Sequence, residues 1–206
     1  MLTLYGTQGS GSAAIEAALV HAGLAFTAVD AASWNPGPGR DALLQVNPLG
    51  QIPTLVLADG TVLTESAAIL IHLGLTTPPG LLLPAGASDR ARAIRGLVYV
   101  AANCYAAISV IDYPERWCEP CDDDMKARIR AGTRARLHEH WRVFADQFGV
   151  GFEAGQPGAL ELLATVVSKW SGSRPMLQAE RPAFHAQLLR VEQHPAVAAV
   201  FQRHWP

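Results

Sequence analysis

Hydrophobic positions alternate between a period of two and a helical period over the first third of the chain, and keep to the helical period after it. Residues 2–5 (Leu-Thr-Leu-Tyr) read as a short strand that stops at Gly6-Thr7-Gln8-Gly9-Ser10-Gly11-Ser12. Residues 13–23 follow, with Ala14, Ile15, Ala18 and Leu19 on one helical face. Ser10 or Ser12 is the expected N-cap of that helix and Gly23 its stop. Residues 24–29 predict a second strand, so the chain opens strand, helix, strand, a unit that favours a parallel pair with a crossover helix. Residues 31–39 read as loop and 40–46 as a short helix. Two short runs, 53–57 and 61–63, flank Ala58-Asp59-Gly60, a strong hairpin signal, and Thr64-Glu65-Ser66 leads into a helix over 67–73.

Breakers cluster densely from Thr76-Thr77-Pro78-Pro79-Gly80 to Pro84-Ala85-Gly86. They predict a linker over 76–88 between a small α/β domain, 1–75, and an all-helical domain, 89–206. Within the latter, a helix is expected over 89–112 and a longer one over 124–148, where Met125, Ile129, Thr133, Leu137, Trp141 and Phe144 recur every three or four residues. Asp122, Asp123 and Asp124 stand at its start, where negative charge offsets the helix dipole by about 0.3–1 kcal/mol each.

Charge narrows the functional classes. Sixteen Lys and Arg against eighteen Asp and Glu give a net charge of -2, and only 17% of residues are charged, which argues against an electrostatic nucleic-acid binder. The apolar fraction is 50%, yet no unbroken apolar run approaches the ~18–20 residues of a membrane span, so no membrane partner is expected. The opening Met1-Leu2-Thr3-Leu4-Tyr5 has no basic segment followed by a long apolar core, and the expected location is cytoplasmic. Three cysteines, Cys104, Cys118 and Cys121, suit a reducing compartment. Cys118-Glu119-Pro120-Cys121 has redox-motif spacing but lies in the helical half, and reads as a loop with two incidental thiols. No metal site is expected: no second Cys or His pair supports zinc, and the Asp122–124 run lacks the Gly and Glu of a calcium loop. Arg128, Arg130, Arg134 and Arg136 read as the solvated face of the long helix.

The most specific pattern is Asn47-Pro48-Leu49-Gly50-Gln51-Ile52-Pro53-Thr54-Leu55, followed after the hairpin turn by Leu63-Thr64-Glu65-Ser66-Ala67. A proline that opens a strand has no N–H to give to the ladder, and a cis X-Pro bond exposes the backbone of the residue before it. Ile52 can then offer its N–H and C=O to an extended peptide docking as an extra strand. Glu65 and Ser66 stand at a helix N-terminus, where free N–H groups favour a carboxylate, and a carboxylate and hydroxyl there can also grip an ammonium. Together these features describe a site for a short peptide with an α-amino acid head. The plainer alternative is that the proline and a capping Glu-Ser pair only shape the scaffold.

On these residues the chain resembles the glutathione S-transferase superfamily over essentially its whole length, with bacterial cytosolic members the nearest type. The resemblance implies a thioredoxin-like N-terminal domain followed by an all-helical C-terminal domain. It implies glutathione as cosubstrate, with Ile52, before cis Pro53, pairing with the cysteinyl backbone and Glu65 and Ser66 holding the γ-glutamyl end. Gln51 and Arg40 are candidates for the glycine carboxylate. The thiol-activating residue of the family falls within Thr7-Gln8-Gly9-Ser10-Gly11-Ser12. Gly11 aligns with the cysteine and Gly6 with the tyrosine of the beta class, and Gly9 with the usual serine. Ser10 is the first choice and Thr7 and Ser12 are alternatives, with Gly9 and Gly11 leaving room for the thiol to approach backbone N–H groups. The competing reading makes Ser10 and Ser12 helix caps only. Tyr99, Asn103, Tyr105 and Trp117 are the expected walls of the acceptor pocket, with core packing as the alternative for each. Where the family has a Ser/Thr-x-x-Asp capping box, this chain has Gly158-Ala159-Leu160-Glu161. The activity implied is a homodimeric glutathione transferase acting on a hydrophobic electrophile. A non-catalytic binding or interaction module and a glutathione-dependent peroxidase or disulfide reductase are the alternatives.

Overall fold

The computed structural model describes residues 1–153 and 155–206. Strand β1 (Leu2–Gly6), helix α1 (Ser12–His21), strand β2 (Phe26–Asp30), helix α2 (Pro38–Val46), strands β3 (Thr54–Val56) and β4 (Val62–Leu63) and helix α3 (Ser66–Thr76) follow one another. Among the described residues the strands form one four-stranded sheet in the order β2-β1-β3-β4, with β1 parallel to β2 and antiparallel to β3. The parallel pair is the one that α1 crosses over, as the opening pattern requires. Leu4 pairs with Ala28 on one side and Leu55 on the other, and Leu4 and Leu55 are both buried.

Helix α1 is buried at Ala13, Ala14, Ile15, Ala17, Ala18 and Leu19. It packs against β1 and α3 and also against helices of the second half. Four of those six side chains are alanines, which let the surrounding backbones approach closely. Helix α2 begins two residues earlier than expected because Pro38 is tolerated in a first turn, where its missing N–H is not needed. It buries only Leu43. The hairpin turn is closed by Asp59, whose carboxylate accepts the Thr61 N–H at 2.9 Å.

After a stretch without helix or strand, the rod Ala87–Asp112 runs as helix α4 (Ala87–Tyr99), a π-helical segment (Val100–Tyr105) and helix α5 (Ala106–Asp112). By length and composition this rod is apolar enough to cross a membrane, which a count of unbroken apolar runs does not register. Its Leu97, Val100, Cys104, Ile108 and Ile111 are buried in the protein's own core. Helix α6 (Asp123–Phe148) is capped by Asp122, whose side chain accepts the Met125 N–H at 2.7 Å. Helices α7 (Ala159–Val167), α8 (Ser173–Glu180), α9 (Pro182–Gln193) and α10 (Ala198–His204) complete the chain. Helix α7 is buried on nearly every side and touches α1, α3, α4 and α9. A single apolar cluster therefore runs from Leu4, Ile15 and Leu70 to Trp141, Phe144 and Leu163. The sheet and the helical half share it, which holds the cleft between them.

Candidate active site

A cleft of about 370 Å³ lies where the loop before α1 (Gly9, Ser10, Gly11), the segment before β3 (Gln51, Ile52, Pro53) and the start of α3 (Thr64, Glu65, Ser66) face the helical half. Ser33 and Trp34 close it on one side, and Ala101, Tyr105, Ala106, Ile108, Tyr113 and Trp170 form the opposite wall.

The Gln51 to Pro53 wall is built by Asn47, which is buried. Its side-chain amide donates to the Gln51 carbonyl and the Thr54 hydroxyl, both at 3.0 Å, and its carbonyl oxygen accepts the Leu49 N–H at 3.1 Å. The Thr54 hydroxyl in turn donates to the Gln51 carbonyl at 2.8 Å. Gly50 turns the chain at φ 60°, a conformation that favours glycine. The Ile52–Pro53 peptide is cis, and Pro53 directly precedes β3.

At the start of α3, Glu65 occupies the N-cap position but makes no side-chain cap hydrogen bond. Glu65 sits at φ 63°, ψ 112°, a region that costs a residue with a side chain about 1–3 kcal/mol and is tolerated chiefly at functional positions. The carboxylate and the largely buried Ser66 hydroxyl both line the cleft, beside the first N–H groups of the helix, which have no intrahelical partner.

The Thr7 to Ser12 loop is tied to itself. The Ser10 hydroxyl donates to the Thr7 carbonyl at 2.7 Å, stands 2.8 Å from the Ser12 hydroxyl, and accepts the Ser12 N–H at 3.3 Å. The Ser12 hydroxyl lies 3.2 Å from the Thr7 carbonyl and accepts the Thr7 N–H at 3.2 Å. Ser10 reaches the cleft, whereas Thr7 and Ser12 line a separate groove with Glu16, Arg203 and His204. Gly11, not a serine, occupies the cap position of α1, and Ser10 serves the helix by accepting from Ser12.

Of the other expected residues, Gln51, Ile52, Pro53 and Tyr105 line the cleft, and four do not. Arg40 donates through Nε to the Ser33 carbonyl at 3.2 Å. Tyr99 donates to the His140 carbonyl at 3.3 Å and packs on Phe144 and Phe148 in the core. Asn103 donates to the Tyr99 carbonyl at 3.2 Å and faces another groove, beside Arg136 and His140. Trp117 is 64% exposed beyond the turn that follows α5. Ala101, Tyr105 and Ile108 stand at i, i+4 and i+7 and share the face of the rod toward the cleft, whereas Tyr99 and Asn103, also four apart, share another face. Trp34, Tyr113 and Trp170 are the aromatic walls that the sequence pattern does not disclose.

Charge in the cleft is sparse. Glu65 is the one ionisable carboxylate on its wall among the described residues, and no Lys, Arg or His joins it. Burial, then the Asp112 and Glu65 carboxylates, push the Tyr105 phenol up to about 12, so it is a neutral donor at physiological pH. Burial also pushes the Cys104 thiol well up, and this core cysteine is no nucleophile. Cys118 donates to the Pro120 carbonyl at 3.4 Å in the loop before α6, off the cleft wall. No group of three or more metal-binding side chains occurs among the described residues.

A thioredoxin-like α/β unit joined to a helical half, with a cleft at the junction, defines the class. Comparison with known proteins points to relatives of the same class. The glutathione S-transferase N-terminal domain family matches residues 12–75. The uncharacterized GST-like protein YncG of Escherichia coli K12 is 35% identical over 130 residues, 63% of this chain and 63% of that protein, so the match spans less than two thirds of the relative's length. A sphingomonad glutathione S-transferase solved in complex with glutathione superposes with a TM-score of 0.72 at 26% identity, covering 98% of both chains. A Sulfitobacter glutathione transferase homolog superposes with a TM-score of 0.80 at 24% identity, covering 98% of this chain and 97% of that one, and attests the fold. Residues 12–75 thus match the glutathione S-transferase N-terminal domain family, and the chain shares its fold with glutathione S-transferases over nearly its whole length.

Proposed function

We propose that the protein is a glutathione transferase. The observation that carries this reading is the start of α3, where the Glu65 carboxylate and Ser66 hydroxyl are not spent on capping and instead face the cleft. In this reading the α3 N–H groups and Ser66 receive the α-carboxylate of the γ-glutamyl head, and Glu65 receives its ammonium. The backbone of Ile52 pairs with the cysteinyl unit, and Gln51 faces the glycyl end. The sulfur then comes to lie over the Ser10–Gly11 turn at the N-terminus of α1, where helix N–H groups favour a thiolate. The bound glycyl carboxylate stays solvent-facing, because Arg40 lies off the cleft wall and no other cation lines it among the described residues.

The second substrate enters against Trp34, Tyr113, Trp170 and Ile108, an aromatic and aliphatic surface that fits a planar, hydrophobic electrophile. The sulfur lone pair forms the new C–S bond while the leaving group departs with its own electron pair, and the thiol proton passes to water. The protein supplies orientation and electrostatic stabilisation. The reading includes a cytoplasmic homodimer.

Calorimetry with glutathione followed by conjugation of a chloroarene tests the proposal. No binding at millimolar glutathione overturns it. Binding with conjugation at the solvent rate leaves a glutathione-binding module, and turnover of a hydroperoxide in place of the chloroarene makes it a peroxidase.

A further inference from the structure

Gly11 and Tyr105 meet across the cleft from opposite halves of the protein. A Cβ built on Gly11 would overlap the Tyr105 hydroxyl oxygen and stand 3.0 Å from its Cζ and 3.2 Å from its Cε1. The phenol thus fills the space that any side chain at residue 11 would take. Gly11 has an ordinary helical φ of -62°, so its backbone does not call for glycine; the phenol does. Tyr105 is the last residue of the π-helical segment, and its ring stacks on Trp170 with centroids 5.7 Å apart and planes 26° from parallel.

The two candidate hydroxyls differ in what their protons are doing. The single proton of Ser10 is directed at the Thr7 carbonyl 2.7 Å away, with the Ser12 hydroxyl as its only rival at 2.8 Å. The Tyr105 hydroxyl has no hydrogen-bond partner among the described residues, and the half-buried side chain is held at the cleft wall by its stack on Trp170. The phenol is open to the cleft beside the N-terminus of α1, so its proton is free to meet an acceptor bound there.

We propose that Tyr105, reaching in from the helical half, is the catalytic residue that donates a hydrogen bond to the glutathione sulfur in this cleft. The inference rests on the glutathione reading above. It deepens it by moving thiol activation from the N-terminal loop to the second half of the chain. The phenol keeps its own proton throughout, the thiol proton leaves to water, and the hydrogen bond stabilises the thiolate that remains. Burial, then the Asp112 and Glu65 carboxylates, keep it protonated in that role.

Tyr105→Phe tests this, since it removes one oxygen and keeps the stack on Trp170. The thiol of bound glutathione, titrated by its ultraviolet thiolate absorbance, is expected to rise in pKa by about 1–2 units. The kcat/KM for a chloroarene is expected to fall about 10- to 100-fold, with the glutathione Kd held within about twofold. Gly11→Ala displaces the phenol without removing it and is expected to raise the same pKa. In the double variant the overlap with the oxygen is gone and only the tight approach to Cζ and Cε1 is left, so Gly11→Ala should add less to Tyr105→Phe than it costs in the wild type. A wild-type protein that binds no glutathione overturns the functional reading. A wild-type protein that binds and turns over, beside a Tyr105→Phe variant with unchanged bound-thiol pKa and kcat/KM, overturns the role of Tyr105 alone. A pKa that rises in Ser10→Ala and stays fixed in Tyr105→Phe assigns the role to Ser10 and overturns it equally.

Discussion

Gly9 donates its N–H to Nδ1 of His204 across 3.2 Å, tying the loop at the mouth of the cleft to the last helix of the chain. Because Nδ1 accepts, the ring proton sits on Nε2, which donates to the Glu16 carboxylate at 2.7 Å. The Glu16 carboxylate also receives Arg203 at 2.5 Å. His204 is buried, so truncating it strands the Gly9 N–H and one carboxylate oxygen together. His204→Ala is expected to cost about 1–3 kcal/mol in urea unfolding and to lower kcat/KM by loosening the Ser10–Gly11 turn. A stability change without a kinetic one would confine His204 to holding the fold.

The same cluster sets an acid limit. Burial raises the Glu16 carboxyl, but its hydrogen bonds to His204 and Arg203 outweigh that, and its net shift is downward from 4.5. A carboxyl lowered in the folded state binds fewer protons there than in the unfolded chain, so its contribution to stability is complete above about 4.5 and is lost as pH falls through the folded value. Melting temperatures recorded from pH 6 down to pH 3 should fall less steeply in Glu16→Gln than in the wild type. Parallel slopes would remove Glu16 from the acid response.

Glu65 separates binding from stability. If it grips the ammonium of glutathione, Glu65→Gln and Ser66→Ala should each weaken the glutathione Kd roughly 10- to 100-fold, the worth of a hydrogen bond to a charged group. Glu65→Gly should also lose binding, yet raise stability by about 1 kcal/mol, since glycine adopts φ 63° without strain. Calorimetry and thermal melts on the same variants check both halves, and a Glu65→Gly variant that is less stable than wild type would mean the strained conformation is held by contacts worth more than its cost.

What was legible in the sequence followed from range. Ile52, Pro53, Glu65 and Ser66 lie within one hairpin and one helix start, so a local pattern places all four on the cleft. The choice among Thr7, Ser10 and Ser12 was not legible, because it turns on where each hydroxyl points its proton, and their mutual spacing suits a self-bonded loop as well as a reactive one. Tyr105 and its neighbours show a second limit. Helical spacing separates Tyr105 from Asn103, two residues apart, but does not say which of the two faces the cleft, because that depends on how the rod packs against the N-terminal half. Trp34 and Trp170 stand in the loop after β2 and the turn after α7, where no periodicity marks which way a side chain faces.

Packing around α2 offers a test independent of any ligand. A Cβ on Gly39 would run into the backbone carbonyl of Asp30, at the end of β2, and backbone cannot swing aside as a side-chain tip can. Gly39→Ala is therefore expected to cost about 1–3 kcal/mol in denaturant unfolding. Ala substituted at Gly60, where nothing lies within 4 Å, should instead cost only the strain of φ 89°. Equal costs at the two sites would show that backbone conformation, not close approach, governs residue 39.

Trp170 has two roles that a double-mutant cycle can divide. Its ring stacks on Tyr105 at 5.7 Å and also lines the acceptor side of the cleft. If its work is to hold the phenol, Trp170→Ala should lower kcat in the wild-type background and change little once Tyr105 is Phe, where there is no hydroxyl left to aim. If its work is to receive the electrophile, Trp170→Ala should raise the KM for an aromatic electrophile by a similar factor in both backgrounds, and Trp170→Phe should restore most of it. An aromatic contact of this kind is worth about 0.5–1.5 kcal/mol, so either effect should be roughly 2- to 10-fold and readable in steady-state kinetics. Coupling confined to kcat is the expected result, because the ring that stacks on Tyr105 is also the surface that fixes where its oxygen points over Gly11.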